Sequence, residues 1–217
     1  MRRSFLLGLV PALAFAAASF TSTKQAHAGP HLDLDLDLGT ALQSRGAQGA
    51  QQTAVDFSLG GGARLGYRFG IPGSIVYIQP EIGGKYMRFG FNSGAIGYDS
   101  AGILNGGLKL GLGGIVQPNI FGHLGLGIMS YNISPTESQG YLGPAADVGA
   151  GLDFRLVPGF TLGAQVAYNS VLVPVADASA PVYGSAKWVS FGLTAGFHIG
   201  EPRPRPVYVQ PVYYRRY

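Results

Sequence analysis

HLDLDLDLGT, residues His31–Thr40, decides how the rest of the chain is read. Leucine and aspartate alternate from Leu32 to Leu38, so an extended backbone puts Asp33, Asp35 and Asp37 on one face and four leucines on the other. Period 3.6 would scatter both sets around a helix. Three carboxylates in a row need a polar setting that supplies cations, and the leucines need an apolar one. A strand with lipid on one side and a polar lumen on the other satisfies both demands.

The same period recurs along the chain in segments of about ten residues, the length of a membrane-spanning strand. DFSLGGGARLGYRF sets Asp56, Ser58, Arg64 and Arg68 against Phe57, Leu59, Leu65 and Phe69. VYIQPEIGGKY sets Tyr77, Gln79, Glu81 and Lys85 against Val76, Ile78, Ile82 and Tyr86. LNGGLKLGLGG carries Asn105 and Lys109 opposite its leucines, and QPNIFGHLGLGIM carries Gln117, Asn119 and His123 opposite Ile120, Leu124, Leu126 and Ile128. YLGPAADVGAGLDFRL contributes Asp147, Asp153 and Arg155 to the polar face. FTLGAQVAYN adds Thr161, Gln165 and Asn169, and VSFGLTAGFHI adds Ser190, Thr194 and His198. With the opening stretch these make eight segments.

The connections alternate in length. Residues 39–54, NSGAIGYDSA (92–101), ISPTESQG (133–140) and SVLVPVADASAPVYGSAK (170–187) read as long loops, while GIPGS, GGIV and VPG read as tight turns. Outer-membrane barrels have long extracellular loops and short periplasmic turns. A soluble β-sandwich also alternates polar and apolar residues, but has no reason to sort its loops by length onto opposite ends. The predicted fold is therefore all-β: an eight-stranded antiparallel transmembrane barrel with both termini on the periplasmic side.

The flanks and composition agree. Residues 1–28 read as a secretory signal: Arg2 and Arg3, the apolar run SFLLGLVPALAFAAASF, and the small-x-small site AHA at Ala26–Ala28. The barrel is assigned to 29–200, and 201–217 reads as an extended, proline-rich basic tail. No apolar run after the signal reaches the ~20 residues of a spanning helix. The chain has 35 glycines, no cysteine, and a formal charge of +4. That charge sits in the signal and tail, since residues 29–200 hold eight basic and ten acidic residues, a composition that argues against a nucleic-acid binder. Phe69, Tyr86, Phe89 and Tyr168 are placed at the membrane interfaces as girdle residues.

The candidate site is the lumen lining: Asp33, Asp35, Asp37, Asp56, Arg64, Arg68, Glu81, Lys85, Lys109, His123, Asp147, Asp153, Arg155 and His198, read as an ion-paired interior. No metal is assigned, because same-face neighbours on a strand stand ~6.6 Å apart and three such carboxylates cannot share one calcium ion bound at ~2.3–2.6 Å. No cofactor is assigned either, as the glycine clusters do not lead from a strand into a helix. His123 and His198 with Asp147 or Asp153 and Ser190 are the members of an imaginable hydrolase triad, but no nucleophile motif accompanies them and no enzymatic activity is assigned.

With its alternating strands and SFGLTAGFHI as the last of them, the chain resembles the small eight-stranded outer-membrane barrel family, which includes the barrel domain of outer membrane protein A, the X and W proteins and opacity-type adhesins. The resemblance covers about residues 30–200. It implies residence in a bacterial outer membrane among its lipid and lipopolysaccharide, and contact with the barrel assembly machinery during biogenesis. It also implies a structural or surface-interaction role, with a narrow channel for small solutes or hydrophobic molecules as the alternative and a lipid-modifying enzyme as a third reading. The tail would lie in the periplasm within reach of peptidoglycan.

Overall fold

A computed structural model describes residues 28–45, 51–52, 57–90, 97–134, 137–177 and 180–199. Eight long strands follow one another: β1 (Gly29–Arg45), β2 (Phe57–Gly70), β3 (Val76–Phe89), β4 (Gly97–Leu112), β5 (Val116–Ser134), β6 (Glu137–Val157), β7 (Phe160–Asp177) and β8 (Ala180–His198). A two-residue strand, Gln51–Gln52, pairs with Ser44 and Arg45 at the far end of β1. Each long strand is antiparallel to the next, and β8 returns to pair with β1 from His31↔His198 to Ser44↔Ala186. The sheet is thus closed, which removes the unpaired edges that no apolar solvent could satisfy.

The pleat sorts the side chains as the alternation in the sequence predicts. In β1, Leu36 is 57% exposed and its neighbour Asp37 is 0% exposed. The register β1–β2 sets Asp33 opposite Arg64 and Leu34 opposite Ala63, so like faces meet like all the way along. Slipping by one residue would turn three aspartates outward and four leucines into the lumen. The outer wall is an apolar belt represented by Leu65, Ile82, Leu104, Leu124, Val148 and Leu193, all exposed. Among the described residues no helix is long and apolar enough to cross a membrane. The crossing surface of this molecule is the belt.

Three turns are short: residues 71–75, 113–115 and 158–159, with Gly73, Gly114 and Gly159 at positive φ. The opposite end departs from the expectation of long loops. β1 runs on to Arg45, β5 and β6 leave only 135–136 between them, and β7 and β8 pair as far as Asp177↔Ala180. The strands are accordingly 14 to 21 residues long. Lipid imposes strict alternation only over the ~9–11 residues inside it. Beyond that the backbone ladder continues without the pattern, so VLVPVAD pairs with APVYGSA though its sequence reads as loop. The signal and the tail lie outside the described residues.

Inside the barrel the lining changes along the axis. Polar and charged residues fill the lumen from the short-turn end upward. Towards the long-hairpin end it is apolar: Met87, Phe89, Ile103, Met129, Val171 and Trp188 are buried together. Phe89 therefore does not sit in the outer girdle. It shares its side of β3 with Tyr77, Gln79, Glu81, Lys85 and Met87, and its ring meets Trp188 edge-on at 5.3 Å. Phe69, Tyr86 and Tyr168 do face outward.

Candidate functional site

The lumen is built from odd-numbered residues on β1, β3, β4, β5 and β6 and from the matching side of the other strands, so its chemistry is a stack of layers joined across the barrel. Register sets the height of each residue; reach decides its partner.

The lowest layer lies at the short-turn end. His31 places Nε2 2.5 Å from Asp33 Oδ1 and Nδ1 3.0 Å from Nδ1 of His198. Arg68 donates from Nε to Gln79 Oε1 at 3.2 Å and from Nη1 to Gln117 Oε1 at 3.1 Å, and its guanidinium lies 3.8 Å from the centre of the Tyr77 ring. The Tyr77 ring has room because Gly111 stands beneath it, where any Cβ would meet the ring.

Above it Lys109 reaches from β4 to Asp33 on β1 at 3.0 Å and stands 3.6 Å from Asp153 on β6. Asn119 and Thr194 donate to the two oxygens of Asp153 at 2.9 and 3.1 Å. At mid-height Arg64 holds Asp35 at 2.6 Å, approaches Glu81 at 3.8 Å, and donates across the barrel to Gln165 at 3.0 Å. His123 bridges two carboxylates, Glu81 at 2.7 Å and Asp147 at 2.5 Å. Both ring nitrogens are thereby engaged, one by each carboxylate. Asn105 donates to the second oxygen of Asp147. Phe121 stacks on the His123 ring with centroids 5.4 Å apart and lies under Arg64. Gly149 clears the space for it. Higher still, Lys85 pairs with Asp37 at 3.0 Å and donates to Ser190 at 3.4 Å, and Asn169 donates to Ser190 at 3.1 Å.

Four of these contacts join strands three positions apart around an eight-strand wall: Arg68 to Gln117, Lys109 to Asp33, Arg64 to Gln165 and Lys85 to Ser190. They cross the lumen rather than run along the wall. An eight-stranded barrel has an interior just wide enough for side chains to fill, and here charged side chains fill it at four heights beneath the apolar layer.

The structure buries Asp33, Asp35, Asp37, Arg64, Arg68, Glu81, Lys109, His123, Asp147 and Asp153 in this interior. Lys85, Arg155 and His198 face it with partial exposure. Asp56 lies outside the described residues. Of the imagined hydrolase triad the structure brings together His123 and Asp147 but not the serine. His123 is clamped by Glu81 and Asp147, His198 pairs with His31, and Ser190 binds Lys85 and Asn169. The lumen-lining set omits the neutral bridges Gln79, Gln117, Asn119, Gln165 and Asn169, and Met87, Phe121 and Trp188 stand on no face named in the sequence. Side-chain parity is the signal that places all of them inward.

No protein-family model and no curated protein matches the chain. Solved structures do match. Neisserial surface protein A aligns with 13% identity over 80% of this chain and 99% of its own, with a TM-score of 0.58. The N-terminal β-barrel domain of Pseudomonas aeruginosa OprF aligns with 14% identity over 79% and 98%, at 0.45. Ail, the attachment invasion locus protein of Yersinia pestis, aligns with 15% identity over 78% and 99%, at 0.42. At this identity the match to Neisserial surface protein A speaks for architecture. Together with the closed sheet and the apolar outer wall, it gives this chain the fold of the small eight-stranded outer-membrane barrels.

Proposed function

We propose that this chain is a bacterial outer-membrane barrel with a sealed lumen, serving as a structural or surface-interacting element of the envelope. The observation that carries the reading is the set of side chains crossing the lumen. Arg64, Arg68, Lys85 and Lys109 each reach a strand three positions away. The Lys109–Asp33 bridge is a buried charge pair and costs several kcal/mol to break, because parting it strands an ion in a low-dielectric space; the other three end on neutral amide or hydroxyl oxygens. A water-filled path would need them broken together. The apolar layer around Trp188 and Met87 closes the long-hairpin end as well.

On this reading the activity belongs to the surface at the long-hairpin end, held up by a rigid wall. Its neighbours there are lipopolysaccharide and whatever the cell meets; the assembly machinery acts in biogenesis, and peptidoglycan lies within reach of the tail. A narrow channel is the competing reading, and a lipid-modifying enzyme a further one. Planar-bilayer recording of the purified, refolded protein decides between barrel and channel. A sealed lumen gives no stepwise conductance, whereas reproducible steps altered by Lys109→Ala would establish the channel. Changed lipid A or phospholipid profiles after incubation with the protein would establish the enzyme.

A further inference from the structure

The lowest layer of the lumen holds a cation that touches no carboxylate among the described residues. Arg68 is buried, 3% exposed, yet its hydrogen bonds go to the amide oxygens of Gln79 and Gln117. Among the described residues it enters no ion pair. The carboxylates nearest in height, Asp33 and Asp153, are the ones Lys109 engages. Mid-height differs, since Arg64 and His123 there touch Asp35, Glu81 and Asp147 directly.

A second observation points the same way. Tyr77 is 0% exposed, and its hydroxyl has no hydrogen-bond partner. Leaving a buried hydroxyl unpaired is unfavourable, because it has given up its water without a replacement. The ring is held in place, with Gly111 beneath it and the Arg68 guanidinium above, so the hydroxyl cannot swing out to find water without breaking that stack. A guanidinium presents five donors in a planar fork suited to oxyanions, and two of those donors are used here.

We propose that the short-turn end of the lumen binds a small oxyanion, of phosphate or carboxylate type, on the Arg68 guanidinium with the Tyr77 hydroxyl as second donor. The site is entered from the side of the short turns, where His198 and Arg155 keep partial exposure. It needs no passage through the barrel and so is compatible with a sealed lumen. It would also hold in a barrel that conducts, so its failure and the failure of the sealed-lumen reading are separate events.

The test uses the full mature chain refolded in zwitterionic lipid, titrated with inorganic phosphate at constant ionic strength and read by calorimetry, with acetate and chloride titrated in parallel. The expected result is saturable binding of phosphate or acetate at one site, stronger than chloride. Arg68→Gln should weaken it at least about ten-fold, the loss of one charge-assisted contact. Tyr77→Phe keeps the stack and should weaken it several-fold, which keeps the test alive should the arginine variant fail to fold. Arg88→Gln, on the outer face, should leave it unchanged. Absence of saturable binding, or binding undiminished in both Arg68→Gln and Tyr77→Phe, overturns the proposal. Binding that emerges only with Glu201→Gln also overturns it, because the counter-charge would then come from the chain's own tail.

Discussion

At the scale of single residues, the lumen is a set of mutual obligations. Among the described residues Lys109 is the sole lysine or arginine within ion-pair distance of Asp33, and the sole one for Asp153. Lys109→Met should destabilise the barrel by about 3–5 kcal/mol, since it leaves two buried carboxylates short of a counter-ion. Urea unfolding in lipid vesicles measures this, and a change under 1 kcal/mol would mean that water already solvates the pair. Gly149→Ala tests the fit of the interior by another route. Its methyl would meet both the Phe121 ring and the Val166 carbonyl oxygen, one of them backbone that cannot yield. A loss of about 1–3 kcal/mol is expected from such overpacking. Residue positions were largely legible, because a strand has only two faces. What parity does not supply is partner choice. Nothing in the spacing of Arg64 announces Gln165, a contact between β2 and β7 that exists only once the sheet has closed. Phe89 shows the opposite failure. Composition drew it to the girdle, while its parity with Lys85 and Met87 already placed it inside.

At the scale of the strand, the outer face should report depth. Leu36→Arg lies in the middle of the β1 leucine run and should cost about 2–4 kcal/mol, whereas Ile199→Arg, just past the end of β8, should cost about 0–1 kcal/mol. Equal costs at the two sites would contradict a belt that spans the bilayer. Strand existence and direction followed from the alternation; strand length did not. The segments 39–45, 170–177 and 180–187 lack the clean pattern that lipid enforces, yet they pair, Val175 with Val182 and, past a register shift after Ala41, Gln43 with Lys187. Hydrogen-bond ladders extend as far as backbone partners last, and sequence periodicity extends only as far as the solvent differs between the two faces.

At the scale of the whole molecule, two different materials close one lumen. Trp188→Ala removes the largest side chain of the apolar layer and should cost about 3–5 kcal/mol. It should not open a pore, because the bridges of Lys85, Arg64, Lys109 and Arg68 lie below it. Bilayer recordings that show steps for this variant but not for the parent would assign the seal to the apolar layer alone. The central claim is that the wall divides lipid from a polar interior, residue by residue. The chain has no cysteine, so single cysteines can be introduced at Leu36, Ile82, Leu108, Leu124, Val166 and Leu193 and at Ser58, Gln165 and Ser190. Nitroxides at each, in lipid bilayers, are then tested for collision with oxygen and with a water-soluble nickel chelate. Oxygen access should be high and nickel access negligible at the first set, and access to both low at the second. Nickel access across the first set would contradict the central claim, because the leucine face would then meet water.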